Sequence, residues 1–155
     1  MALPEIGQDA PDFVLPSDGG GTIALSTLKG KAVVLYFYPK DDTSGCTTEA
    51  VDFSALWDEF HAAGATVVGV SPDSAKSHDK FKAKHSLSVA LASDEAKSTL
   101  EAYGVWVEKS MYGKKYMGVE RTTFLIGPDG KVRRVWSKVK VPGHARDVLE
   151  AVKSL

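Results

Sequence analysis

The chain has 155 residues, 43% of them hydrophobic and 25% charged, which suits one globular domain spanning residues 1–155 with a real core. Nineteen basic against twenty acidic side chains leave a formal charge of -1, so no basic excess draws the chain to nucleic acid. The opening Met1-Ala-Leu-Pro-Glu5 lacks a basic segment followed by an apolar run, and no stretch approaches the roughly 20 apolar residues of a membrane helix. A cytoplasmic protein without a membrane partner is expected, and its single cysteine, Cys46, excludes an internal disulfide.

Along the chain, Gly19-Gly20-Gly21 predicts the turn of a small N-terminal β-hairpin. Residues 31–38 form an apolar and aromatic run ended by Pro39, the pattern of a central strand buried on both faces. Residues 47–63 place Val51, Phe53, Leu56, Trp57 and Phe60 at helical spacing, closed by Gly64, and residues 65–70 read as a second buried strand. A turn at 71–74 leads to a helix ending near His85, then a short strand at 89–92 and a helix over 96–103. Residues 122–126, a Gly-Pro-Asp-Gly turn and residues 131–136 make a hairpin, and a helix over 144–153 closes the chain. This order indicates an α/β sandwich with a mixed sheet flanked by helices.

The chemistry concentrates where the first buried strand hands over to a helix. Cys46 falls in that helix's first turn, where unpaired N–H groups and the helix dipole favour the reactive thiolate. Thr43, three residues earlier, can reach the sulfur or a bound substrate, and Pro39 stiffens the loop and shields the thiol. Taken singly, Cys46 also fits a small buried apolar residue and Thr43 a helix cap.

Together, Pro39-x-x-x-Thr43-x-x-Cys46 resembles the active-site motif of the peroxiredoxins, and Tyr38-Pro-Lys-Asp-Asp-Thr-Ser-Gly-Cys-Thr-Thr-Glu-Ala50 resembles their bacterioferritin comigratory, or Q-type, subfamily. The resemblance continues in Gly7-Gln-Asp-Ala-Pro-Asp-Phe13, Lys29-Gly30-Lys31 and Gly69-Val70-Ser71, and Val119-Glu-Arg-Thr-Thr-Phe-Leu-Ile126 resembles the segment that supplies the family's arginine. It implies a thioredoxin-like fold, peroxidase activity on hydrogen peroxide and organic hydroperoxides, a role in antioxidant defence, no cofactor and no metal. It also implies a catalytic set of Cys46, Thr43, Arg121 and Pro39. Arg121 would hold the thiolate and the peroxide through its fork of N–H donors, with Glu49 orienting it. Glu49 at a helix start also fits ordinary dipole complementation, and Arg121 alone fits a surface cation.

Two positions depart from the subfamily. Many members carry a resolving cysteine five residues after the peroxidatic one, where this chain has Val51, or in the following helix, where residues 73–85 contain none. The resemblance thus implies a one-cysteine enzyme reduced by an external thiol: thioredoxin, glutaredoxin or glutathione, or another dithiol. Relatives of this type are often monomers, and a dimer joined through Cys46 stays open. Ser44 stands where proline is common, which loosens the loop without removing a catalytic atom.

The remaining motifs read as structure. His61, His78, His85 and His144 lack ligand spacing and are expected as solvated helix residues, and residues 112–117 as an exposed loop leading to Arg121. Trp106 and Trp136 are expected as partly buried fillers. Among rival functions, a disulfide oxidoreductase needs a Cys-x-x-Cys pair and a cysteine hydrolase needs a nearby base, neither of which the sequence supplies. A thioredoxin-like binding or chaperone module with an idle cysteine leaves Thr43 and Arg121 unexplained.

Overall fold

The structure is a computed structural model, which describes residues 3–155; Met1 and Ala2, at the start of the segment read for a leader, lie outside them. Its centre is a five-stranded sheet in the order β5-β4-β3-β8-β9, built from β3 (Ala32–Phe37), β4 (Ala65–Ser71), β5 (Ala90–Ser93), β8 (Thr122–Ile126) and β9 (Val132–Trp136). β3 runs parallel to β4, and β4 to β5, while β8 lies antiparallel to both β3 and β9. The sheet is therefore mixed, as the alternation of strands and helices followed by a hairpin predicts.

Every residue of β3 is buried, and its period of two divides the core. Val34 and Tyr36, continued by Tyr38, point to the layer that holds Cys46, Phe53, Phe60, Phe81, Val148 and Leu149. Those residues come from α1 (Ser44–Ala55), α2 (Trp57–Ala62), α3 (Ala75–His85) and α5 (His144–Lys153). Val33, Leu35 and Phe37 point to the opposite layer, with Leu100 of α4 (Ser98–Ala102), Tyr103, Phe124 and the N-terminal hairpin of β1 (Val14–Pro16) and β2 (Thr22–Ala24). Each sheet edge is met by a chain segment at one point: Ser17 bridges to Ala92 of β5, and the segment around Gln8 and Asp9 lies against residues 131 and 132 at the start of β9.

Four expectations are corrected. The helix read over 47–63 is two helices, broken at Leu56 (φ -100°, ψ 7°), whose N–H donates to the Phe53 carbonyl at 3.2 Å. Val51, counted in its apolar stripe, is 41% exposed. Residues 112–117 are not a loop but the turn and second strand of a hairpin, β6 (Trp106–Met111) with β7 (Lys114–Val119), closed by Tyr112 and Gly113 at φ 53° and 77°. That hairpin projects from the sheet, so its faces carry exposed polar residues and the alternation that marks a half-buried strand is missing. Finally, His78 and His144 are buried rather than solvated. His144 shares a hydrogen bond with the Thr123 hydroxyl at 2.8 Å and packs edge-on against Phe53 and Trp136.

Two predictions follow from this packing. A Cβ at Gly69 would stand 2.6 Å from Tyr36 Cζ, the ring that stacks on Phe53 above the Cys46 helix. Gly69→Ala should cost about 1–3 kcal/mol by overpacking, read as a thermal midpoint lowered by roughly 3–10 °C. Burial, with a smaller push from Arg121, lowers the His144 pKa from 6.5 to about 4, so the folded state refuses a proton that the unfolded chain accepts. Stability from this group is therefore present above 6.5 and lost as pH falls toward 4. The urea midpoint of the native protein should drop over that interval, and His144→Gln should flatten the drop.

Candidate active site

β3 delivers the chain to Tyr38 and the half-buried Pro39, and residues 40–43 turn it into α1. Thr43 is the N-cap, extended at φ -92° and ψ 158°, and its carbonyl takes the first helical hydrogen bond from the Thr47 N–H at 2.8 Å. Cys46 is thus the third helical residue, among amides without an intrahelical acceptor, and it is only 1% exposed.

Arg121 arrives from the junction between β7 and β8, where its carbonyl accepts from the Val139 N–H at 3.0 Å. Its Nη2 donates to Cys46 Sγ at 3.3 Å and its Nη1 to Glu49 Oε1 at 2.7 Å, so one guanidinium bridges two residues of a single helical turn. The Arg121 side chain is 17% exposed and that of Glu49 1%. Burial drives the Glu49 carboxyl up to about 7 against the opposing pull of Arg121. Burial alone would lower the Arg121 pKa, but Glu49 and Cys46 outweigh it and leave it raised. The cation therefore stays charged beside the sulfur at any pH of interest.

The residues singled out in the sequence meet here to different degrees. Cys46, Arg121 and Glu49 are in direct contact. Thr43 is exposed and its hydroxyl donates to the Lys40 carbonyl at 2.8 Å; among the described residues it makes no hydrogen bond to the sulfur and no side-chain cap. Pro39 forms the start of the loop. Gly45 was legible only as part of the motif, yet a Cβ there would stand 3.2 Å from Arg121 Nη2, so a side chain at this position would crowd the guanidinium.

A second buried cluster escaped the sequence reading. Oxygens of Asp41 and Asp73 and a ring nitrogen of His78 lie within 4.8 Å of one another, and they are engaged with protein donors and acceptors throughout. Asp41 and His78 are 37 residues apart in the chain, and no local spacing signals their pairing.

Residues 6–135 match the model of the AhpC/TSA family. The putative peroxiredoxin bcp of Coxiella burnetii is 52% identical over 145 residues, which cover 94% of this chain and 96% of that protein. Peroxiredoxin Bcp of Bacillus subtilis is 50% identical over 151 residues, covering 97% and 96%. Among solved structures, peroxiredoxin Q of Xanthomonas campestris superimposes with a TM-score of 0.90 at 48% identity over 99% of this chain and 97% of that one. A structure of the bacterioferritin comigratory protein of the same organism, described for its alkyl peroxide reduction activity, gives 0.90 at 47% identity over 99% and 98%. The thioredoxin-like fold expected from the motif is the fold of these structures. With its mixed sheet, its lone thiol at a helix start and these matches, the chain belongs to the AhpC/TSA family, among the peroxiredoxins of the bacterioferritin comigratory, or Q, type.

Proposed function

We propose that Cys46 is the peroxidatic thiol of a one-cysteine enzyme that reduces hydrogen peroxide and organic hydroperoxides, with Arg121, Thr43 and Pro39 as its catalytic partners and Glu49 in support. The observation that carries this reading is the Arg121 guanidinium, held by Glu49 at 2.7 Å and aimed at a buried sulfur at 3.3 Å. An inert structural thiol needs no such cation.

In the reaction, the thiolate attacks one peroxide oxygen as the O–O bond breaks. Sulfur gives up two electrons and gains that oxygen as a sulfenic acid, and the other oxygen leaves and takes a proton, giving water or an alcohol. Negative charge moves from sulfur to the departing oxygen, and Arg121 lies where its N–H groups can follow that movement. Thr43 has already given its proton to the Lys40 carbonyl, which leaves its oxygen free to accept from the peroxide O–H. Pro39 has no N–H and a fixed φ, so it walls the loop without competing for hydrogen bonds.

Recovery requires two thiols from outside. The first condenses with the sulfenic acid to a mixed disulfide and water, and the second displaces Cys46 from it. The position five residues on, where a resolving thiol would stand, is Val51, and no second cysteine exists in the sequence. A thioredoxin, a glutaredoxin with glutathione, or another dithiol fits this step.

Stopped-flow tryptophan fluorescence of reduced protein mixed with hydrogen peroxide, with intact mass on the product, tests the reading. A fast stoichiometric change that adds one oxygen and disappears in Cys46→Ser is expected; a rate no greater than that of a free thiol overturns it in favour of a binding module. Arg121→Ala should slow the peroxide reaction by about two orders of magnitude and Arg121→Lys, which keeps charge but loses the fork, by about one. Unchanged rate constants in both variants would remove Arg121 from the mechanism.

A further inference from the structure

We infer that His78 is a positioning residue for the peroxide reaction: gripped between Asp41 and the Ala92 carbonyl, its ring pins the loop that carries Cys46 onto α3. This rests on Cys46 being the peroxidatic thiol. The geometry assigns the ring its protons. Nε2 lies 2.9 Å from the Ala92 carbonyl oxygen, which only accepts, so Nε2 carries a hydrogen. Nδ1 lies 2.7 Å from Asp41 Oδ2, which also receives the Ser77 hydroxyl at 2.8 Å, while Asp41 Oδ1 receives the Tyr38 hydroxyl at 2.6 Å. A carboxylate surrounded by donors in this way takes a third from Nδ1, and the ring is an imidazolium. The ring is fully buried, so the pair is a closed charge pair rather than a surface one.

α3 holds the loop at both of its consecutive aspartates. The Asp41 N–H also donates to Asp73 Oδ2 at 2.8 Å, an oxygen that takes the Ser71 hydroxyl at 2.7 Å, so the loop is tied to β4 and to the start of α3. Asp42, at φ 59°, reaches Lys84 Nζ at 2.7 Å and His85 Nε2 at 2.8 Å on the last turn of the same helix. The second tie is exposed and worth little, which leaves the buried one to decide the loop's position. Thr43 and Cys46 follow immediately, and reacting atoms misplaced by about 1 Å can cost on the order of a hundredfold in rate.

The charged and titratable groups facing the ring are Asp41 and Asp73 from the two loops and Tyr38 from the end of β3; β5 offers the Ala92 carbonyl. Burial alone would lower the His78 pKa, but the hydrogen bond and charge of Asp41, with Ala92 and Asp73, outweigh it and leave it raised above 6.5. Burial holds the Tyr38 hydroxyl in its protonated form. A raised histidine keeps its contribution in full below its unfolded value and loses it as pH climbs through the folded one. The histidine's part of the tie is therefore complete below about 6.5 and slackens as pH climbs through that raised value.

The test compares native protein with His78→Gln and Asp41→Asn, using stopped-flow rate constants for hydrogen peroxide and for reduction of the sulfenic form by dithiothreitol. Both variants should react with peroxide tenfold to a hundredfold more slowly, on the order expected for misplacement, while the sulfenic form is reduced faster because the loop yields. A misfolded fraction lowers amplitudes, not rate constants, and cannot produce these opposite changes. Native protein labelled with nitrogen-15 should show two ring N–H signals for His78 at neutral pH, lost on alkalinisation together with shifts of the loop amides 41–46. A single ring N–H at neutral pH, or peroxide rate constants equal to native in a folded variant, overturns the inference. Absence of any fast reaction in native protein would instead overturn the peroxidatic role of Cys46.

Discussion

A guanidinium that cannot shed its proton sets the terms for this structure. Arg121 is largely withdrawn from water, so it must find anionic or polarizable partners, and leaving one such partner alone in the interior costs about 3–5 kcal/mol. Both partners come from α1, three residues apart, on the face that one helical turn presents to a single neighbour. This fixes the rotation of α1 and the distance between its first turn and the β7–β8 junction. Gly45 is compatible with that approach where a larger residue would crowd it.

The approach to the thiol is consequently held from two directions: Arg121 grips the start of α1 from the β8 side, and α3 holds Asp41 and Asp42 of the preceding loop from the other. Between these ties lie Thr43 and Gly45, neither tied to α3. Rigidity and access thus oppose each other in the same few residues. A sulfur only 1% exposed admits small molecules more readily than a thiol on another protein, for which the surface must give way.

Most of this organisation was legible in the sequence where it depended on neighbours in the chain. The unbroken apolar run of β3, the Gly-Pro-Asp-Gly turn and the placement of Cys46 beside a helix start are local signals, and the structure bears each of them out. Signals failed where the deciding contact was distant or the element was solvated. The break at Leu56 is concealed because the apolar stripe runs on through it, with Leu56 and Trp57 packed against the same core. The β6–β7 hairpin carries no buried face over most of its length, so its alternation was absent. His78 looked like a solvated helix residue because its partner lies 37 positions earlier, and His144 because its cover comes from Phe53 and Trp136. Thr43 was placed correctly at the helix start, while its hydroxyl turned to Lys40 rather than to the sulfur.

The borders of the sheet bear on how copies of this chain can meet. Ser17 sits against Ala92 of β5, and Gly7 and Gln8 exchange hydrogen bonds with Val132 of β9, so a chain segment meets each border at one point. A strand adding there would have to displace those segments, and the loop before Cys46 lies at the end of the central strand and not along a border. Loosening that loop therefore breaks neither of the contacts that guard the sheet's borders.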